Sequence, residues 1–173
     1  ELSYKKGIAK AVNTLGDIYY YKDQFEISVN YYDLAIEVTR QINNRLVLGS
    51  SLIEKGKPLV AQGKIETAKI AQQEALAIAK ELGNPDLLFD AHILGARVAY
   101  SEGKMALATE ILEELLNKEK GLKEQADIYY ELYNVAIDNE DYRQKALTLY
   151  QNLYSETPQF LFRKRMQQLI LRK

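Results

Sequence analysis

Small side chains recur in this sequence at a fixed interval of 40 residues, as Ser28, Ala68 and Ala108 show. A repeat of this length is typical of stacked helical hairpins, in which each unit packs against its neighbours. The sequence therefore predicts a helical-repeat protein. Other sets of matching positions keep the same interval: Gly16, Gly56 and Ala96; Asp23, Gly63 and Gly103; and Phe25, Ile65 and Met105.

The small residues of each repeat suggest that its helices cross closely. A side chain larger than Gly, Ala or Ser at a close crossing would push the two helix axes apart. Glycine inside a helix costs about 1 kcal/mol relative to alanine. Gly16 and Gly56 at the same repeat position therefore indicate close packing of the two helices of a hairpin.

Composition agrees with an all-α protein that has one core. The chain has 173 residues, 47% of them hydrophobic, with three prolines and no cysteine. It contains no apolar run long enough for a transmembrane helix and no pattern of a secretion signal at its start. We therefore expect a cytoplasmic protein with no membrane insertion. The formal net charge is -1, so the overall charge of the protein would not attract nucleic acid.

Charge is unevenly distributed along the chain. Residues 86–156 carry twice as many acidic as basic side chains, whereas residues 157–173 carry no acid. The favoured interpretation is a basic capping helix that lies near an acidic last repeat. The alternative is a basic tail for anionic partners. The basic side chains of this segment are Arg163, Lys164, Arg165, Arg172 and Lys173.

The pattern resembles the tetratricopeptide repeat family, in a variant whose repeats have about 40 residues instead of about 34. The resemblance implies a right-handed α-solenoid of four antiparallel helical hairpins plus a C-terminal capping helix, in one domain covering residues 1–173. The predicted repeats are about 5–44, 45–84, 85–120 and 121–156, and the capping helix is about 158–172. Lys5 to Ala9 look like a junction between repeats, so we expect a piece of a longer chain. The residues that carry the resemblance are Leu15, Gly16, Tyr19, Phe25, Tyr32 and Ala35 in the first repeat, Gly56, Gly63, Ala68 and Ala75 in the second, Ala96, Gly103, Ala108 and Leu112 in the third, and Ala146, Tyr150 and Pro158 at the end.

Pro58 departs from this pattern, because it falls inside the first helix of the second repeat. Proline removes one backbone hydrogen bond and its ring clashes with the carbonyl four residues earlier. The sequence therefore predicts a kink or a broken turn at Pro58.

In the tetratricopeptide repeat family, the first helix of each hairpin forms the inner, concave wall that binds partners. Tyrosine and arginine are the side chains best able to anchor a protein or peptide there. The resemblance thus implies a partner-binding face made of Asn13, Asp17, Tyr20, Tyr21, Glu54, Lys57, Arg97, Tyr100, Tyr130 and Asn134.

The family also binds chaperone tails through a basic carboxylate clamp, but the matching positions here include Asp17, Glu54 and Asp90. These acids would repel a carboxylate, so the sequence argues against chaperone-tail binding. An acidic and aromatic face suits a mixed or basic peptide better.

Nothing in the sequence indicates an enzyme. His92 is the only histidine and there is no cysteine, which excludes His or Cys pairs on a metal and a Cys–His dyad. Gly56-Lys57 is faintly like a phosphate loop, but Pro58 follows where Ser or Thr is needed. No cofactor and no metal are predicted.

Three interpretations of function stay open. The first is a scaffold for protein–protein interaction that binds a peptide or partner domain on its concave face. The second is a regulatory or sensory module of a larger bacterial signalling protein, such as a cyclase, kinase or transcriptional regulator, which arrays of this kind resemble. The third is self-association through exposed ends of the array.

Overall fold

The computed structural model describes residues 2–118, 121–136 and 139–171, and every regular element in these ranges is an α-helix. The prediction of an all-α, helical-repeat fold is thereby confirmed. No helix in the same ranges has the length and apolar character needed to cross a membrane. In chain order the helices are α1 (Leu2–Tyr21), α2 (Phe25–Gln41), α3 (Arg45–Ala61), α4 (Ile65–Leu82), α5 (Pro85–Ser101), α6 (Met105–Leu116), α7 (Leu122–Val135), α8 (Glu140–Glu156) and α9 (Phe160–Leu171).

The turns explain part of the 40-residue interval. Asp23, Gly63 and Gly103 lie in the turns after α1, α3 and α5, with φ angles of 57°, 71° and 78°. Asn43 and Gly83 end α2 and α4 with φ angles of 50° and 58°. Residues with side chains seldom adopt this left-handed backbone, and Gly, Asn and Asp tolerate it best. The repeat therefore preserves the positions at which the chain reverses direction.

The chain divides into two compact units, Glu1–Gly103 and Lys104–Lys173. The first unit thus holds α1 to α5 and the second holds α6 to α9. The boundary falls in the turn after α5, inside the third predicted repeat. The single domain over residues 1–173 stays a prediction.

In the first unit each helix packs on the next, from α1 through α5. In addition, α3 lies between α1 and α5 and contacts both, so the first helices of successive hairpins stand side by side. The core of this unit is aliphatic, and Leu52, Ile78 and Leu94 are almost completely buried in it. This packing places α1, α3 and α5 on one face.

Close helix crossings occur where the small residues predict them, although not always between the expected helices. A β-carbon on Gly16 would lie 2.6 Å from the Tyr32 ring, and Ser28 Oγ donates a hydrogen bond of 2.8 Å to the Gly16 carbonyl. That is the predicted contact within a hairpin. Gly56 differs, because a β-carbon there would collide with Leu94 of α5, the first helix of the next hairpin. Glycine therefore also sets the spacing between hairpins.

Pro58 does not interrupt α3, so of the two predicted alternatives the broken turn is wrong, and the kink stays a prediction. The helix continues to Ala61, and the Gln62 amide donates a hydrogen bond of 3.0 Å to the Pro58 carbonyl. Pro58 is fully buried and begins the last turn of the helix. Only one turn follows it, and burial of the ring offsets the cost of the missing donor.

In the second unit α6 packs on α7, α7 on α8, and α8 on the C-terminal helix α9. Its core is more aromatic than that of the first unit, with Tyr133, Tyr150 and Phe162 buried alongside Leu169. α9 lies within the range predicted for a capping helix.

Candidate ligand-binding face

The first helices of the first unit are held side by side by polar as well as apolar contacts. Asn13 Nδ2 of α1 donates a hydrogen bond of 2.8 Å to Ser51 Oγ of α3. Leu94 of α5 fills the space that Gly56 of α3 leaves open. Residues 38 positions apart thus become neighbours across this face.

Asp17 of α1 is a half-buried carboxylate with a fixed orientation. Tyr32 of α2 donates a hydrogen bond of 2.6 Å from its hydroxyl to Asp17 Oδ1. Burial raises the pKa of Asp17 and the Glu54 carboxylate raises it further, against the lowering effect of Tyr32 and Lys57. Asp17 and Glu54 therefore form an acidic pair across α1 and α3.

Lys57 forms the basic side of the same face. Its Nζ lies 2.6 Å from Glu54 Oε1, one helical turn away on α3. Burial alone would lower the pKa of Lys57, but the Glu54 carboxylate overcomes this and holds the pKa above its ordinary value. Arg97 of α5 opposes that rise and Tyr20 of α1 adds to it. Lys57 is thus charged and lies within electrostatic reach of both side chains.

The structure brings five of the predicted face residues together, and we name them the inner charge cluster: Asp17, Tyr20, Glu54, Lys57 and Arg97. They come from three different helices, and each helix is placed by the close crossings described above. The cluster contains two carboxylates and two cations. It can form charge-assisted hydrogen bonds with a ligand.

The remaining predicted residues of the first unit border the inner charge cluster. Tyr100 is exposed near the end of α5. The Tyr21 ring lies 5.5 Å from the Tyr20 ring, which also packs at 5.9 Å against Phe25 of α2. Asn13 is held by Ser51, and its buried Oδ1 has no hydrogen-bond partner among the described residues.

The two predicted residues of the second unit, Tyr130 and Asn134, are placed differently. Tyr130 is only 8% exposed, and its hydroxyl donates a hydrogen bond of 2.7 Å to Gln168 Oε1 of α9. Asn134 is half-buried on the same helix. A partner would reach Tyr130 only if α9 moved away.

Sequence reasoning suggested a basic last helix near an acidic repeat, but it did not identify the residues that hold α9, which we name the arginine anchor: Arg165, Asp127, Tyr130 and Tyr150. The Arg165 guanidinium donates hydrogen bonds to Asp127 Oδ1 and to the Tyr150 hydroxyl. Its central carbon lies 4.9 Å from the Tyr130 ring centroid and 5.5 Å from that of Tyr150. The cation is therefore paired with a carboxylate and covered by two aromatic rings.

Opposite charge controls the ionisation of Asp127. Burial raises its pKa, but Arg165, Lys123 and the hydrogen bond of 2.6 Å from Tyr150 more than compensate, so the pKa lies below its ordinary value. The pKa of the Tyr150 hydroxyl is shifted upward instead, because burial raises it above the usual range. Asp127 is thus charged and Tyr150 neutral at physiological pH.

A spacing of 38 residues could have revealed the arginine anchor. Asn13 and Ser51 are 38 residues apart, and so are Asp127 and Arg165. The first pair joins the first helices of two successive hairpins. α9 therefore stands against α7 in the register of the first helix of a further hairpin.

Comparison with known proteins supports the fold. No model of a known protein family matches the chain, and neither does any curated protein. Among solved structures, the chain is similar to the Rap conjugation gene regulator of the plasmid pLS20 in complex with the Phr* peptide. The TM-score is 0.74 at 19% sequence identity, over 92% of this chain and 50% of that one. The chain thus spans half the length of that regulator, and at this identity the likeness shows the fold alone.

Proposed function

We propose that this chain is a protein-interaction module that binds a peptide segment on the face formed by α1, α3 and α5. The observation that carries the proposal is the inner charge cluster, in which three helices bring polar and charged side chains to one place. The similar regulator is in complex with a peptide. In the tetratricopeptide repeat family, which the sequence resembles, the corresponding face is the concave one.

Binding rather than catalysis fits the chemistry of the face. Among the described residues, no group of three or more His, Cys, Asp or Glu side chains could hold a metal ion. The cluster pairs a lysine with a glutamate at 2.6 Å, so each neutralises the other, and neither is left as a strong base or acid. We therefore propose a module without cofactor or enzymatic activity.

Selection from a library of random short peptides displayed on phage tests this function. We expect enriched peptides whose affinity falls about tenfold or more in a variant with Tyr20→Ala, Arg97→Ala and Tyr100→Ala, since aromatic and arginine anchors dominate binding energy. Isothermal titration calorimetry with a synthetic selected peptide measures the change.

The matched control is Ile70→Ser, because Ile70 is 58% exposed on α4, away from the first helices. This variant should bind the selected peptide as tightly as the parent. If both variants bound equally well, the peptide would occupy some other surface and the proposal would fail.

A regulatory role is the second candidate, favoured by one observation. The similar solved structure is a conjugation gene regulator, and this chain covers half of it. In that role, peptide binding to α1, α3 and α5 would report to another domain of a bacterial signalling protein. Sequencing of the surrounding gene tests this candidate, which requires a fused effector or DNA-binding domain.

A further inference from the structure

The charges of the inner charge cluster are arranged in two rows. Asp17 and Glu54 form an acidic row across α1 and α3, while Tyr20, Lys57 and Arg97 form a row with two cations across α1, α3 and α5. Along α1 and α3 the two rows are three residues apart, which is a little less than one helical turn. The face therefore has an acidic strip and a basic strip side by side.

Both strips remain within reach of a ligand. The Lys57 side chain is 27% exposed and the Glu54 side chain is 32% exposed. The link between them is a part-buried i,i+3 ion pair, so each charge keeps some access to solvent. A ligand that offers opposite charges to both groups can replace this contact without leaving either charge unpaired.

The geometry points to a peptide that carries one acidic and one basic side chain close together, with its acid against Lys57 and Arg97 and its base against Asp17 and Glu54. This inference rests on the proposed function and specifies the ligand class. A purely acidic or purely basic peptide would match one strip and be repelled by the other. Charge complementarity of this kind selects partners because like charges in contact are costly.

The distance between the strips limits the spacing of the two charges in the ligand. An extended peptide advances about 3.3 Å per residue, and the charged ends of Glu54 and Lys57 meet at 2.6 Å. The acidic and basic residues should therefore lie within about two positions of each other. The order in which they occur follows from the direction in which the peptide lies.

The phage selection described above supplies the first test, through the composition of the enriched peptides. We expect most of them to contain an Asp or Glu within about two positions of a Lys or Arg. Enrichment of peptides that lack such a pair, whether apolar or of one charge sign, would overturn this inference while leaving peptide binding intact. Absence of any enrichment would remove the proposed function as well.

A double-mutant cycle gives the second test. A synthetic selected peptide is compared with versions in which its acid becomes an amide or its base becomes methionine. Against the parent protein each version should bind about tenfold more weakly, the order of magnitude for a partly desolvated charge pair. The variant K57M/R97M should lose sensitivity to the acid only, and D17N/E54Q should lose sensitivity to the base only.

Two controls keep the cycle interpretable. Asp17 accepts a hydrogen bond from Tyr32, so circular dichroism must show that D17N/E54Q still folds. The peptide versions need no change to the protein, so they decide the question even if that variant is unstable. If changing either charge of the peptide left binding to the parent protein unaltered, the inference would be wrong.

Discussion

Replacing Asp127 by asparagine should destabilise the second unit by about 3 kcal/mol, because the substitution removes a carboxylate that is paired with a buried guanidinium. The side chains of Asp127 and Arg165 are each only 13% exposed. Urea unfolding followed by circular dichroism measures the loss. Hydrogen exchange should show reduced protection of α9 amides, since Arg165 and the Tyr130–Gln168 hydrogen bond both link α9 to α7 and the substitution weakens the first of these links.

Lys123→Ala is the matched control for this prediction. Lys123 Nζ lies 3.3 Å from the other oxygen of the same carboxylate, but the lysine side chain is 49% exposed. An exposed pair contributes at most about 1 kcal/mol, so this variant should stay close to the parent protein. Equal effects of the two substitutions would mean that burial of the guanidinium is not the cause.

The double variant R165M/D127N removes the buried guanidinium together with its carboxylate. Its loss of stability should therefore be smaller than that of D127N alone.

The same pair should make the second unit sensitive to acid. Because the folded-state pKa of Asp127 is lowered, its charge stabilises the protein above the unfolded value of about 4. This contribution is lost as the pH falls from about 4 through the lower folded-state pKa. The parent protein should therefore lose stability on acidification more steeply than D127N does. Parallel slopes for the two proteins between neutral pH and pH of about 2 would contradict this.

Gly16→Ala should destabilise the first unit by about 1 to 2 kcal/mol, although alanine is the better helix former. The new β-carbon would lie 2.6 to 2.8 Å from three atoms of the Tyr32 ring. That ring is fully buried, and its hydroxyl is fixed by Asp17. The clash can be relieved only by separating α1 from α2, which costs packing in the core.

Gly7→Ala makes the same chemical change in the same helix and has the opposite expected sign. A β-carbon at Gly7 meets no atom within 4 Å. The substitution should therefore stabilise the protein by up to about 1 kcal/mol through helix propensity alone. Urea unfolding of both variants measures the difference. A shift of the same sign in both would show that the crossing of α1 and α2 is not tight at Gly16.

The features of the fold that depend on local chemistry could be predicted from the sequence. Gly63 and Gly103 predict turns because few other residues adopt a left-handed backbone. The small residue at Ser28 correctly indicates a close crossing with α1. The contact of Gly56 with Leu94 was not predictable in this way, because the residues lie in different hairpins and their contact depends on how the hairpins stack.

The candidate site shows the same limit. The family resemblance placed Asp17, Lys57 and Arg97 on one face, but only the structure gives the Glu54–Lys57 ion pair and the influence of Asp17 and Arg97 on its charges. Charge distribution suggested that a basic last helix lies near an acidic repeat, and Arg165 with Asp127 is such a contact. The aromatic cover from Tyr130 was missed, because its repeat position suggested an open face instead of a contact with α9.

The boundary between the two compact units, after α5, determines where the gene should be cut to express the first unit alone. A truncation at residue 84, where the sequence repeat ends, would remove Leu87 and Leu94 and leave the grooves at Gly49 and Gly56 open to water. A truncation at residue 103 keeps both leucines in place. The first compact unit therefore extends one helix beyond the end of the second sequence repeat.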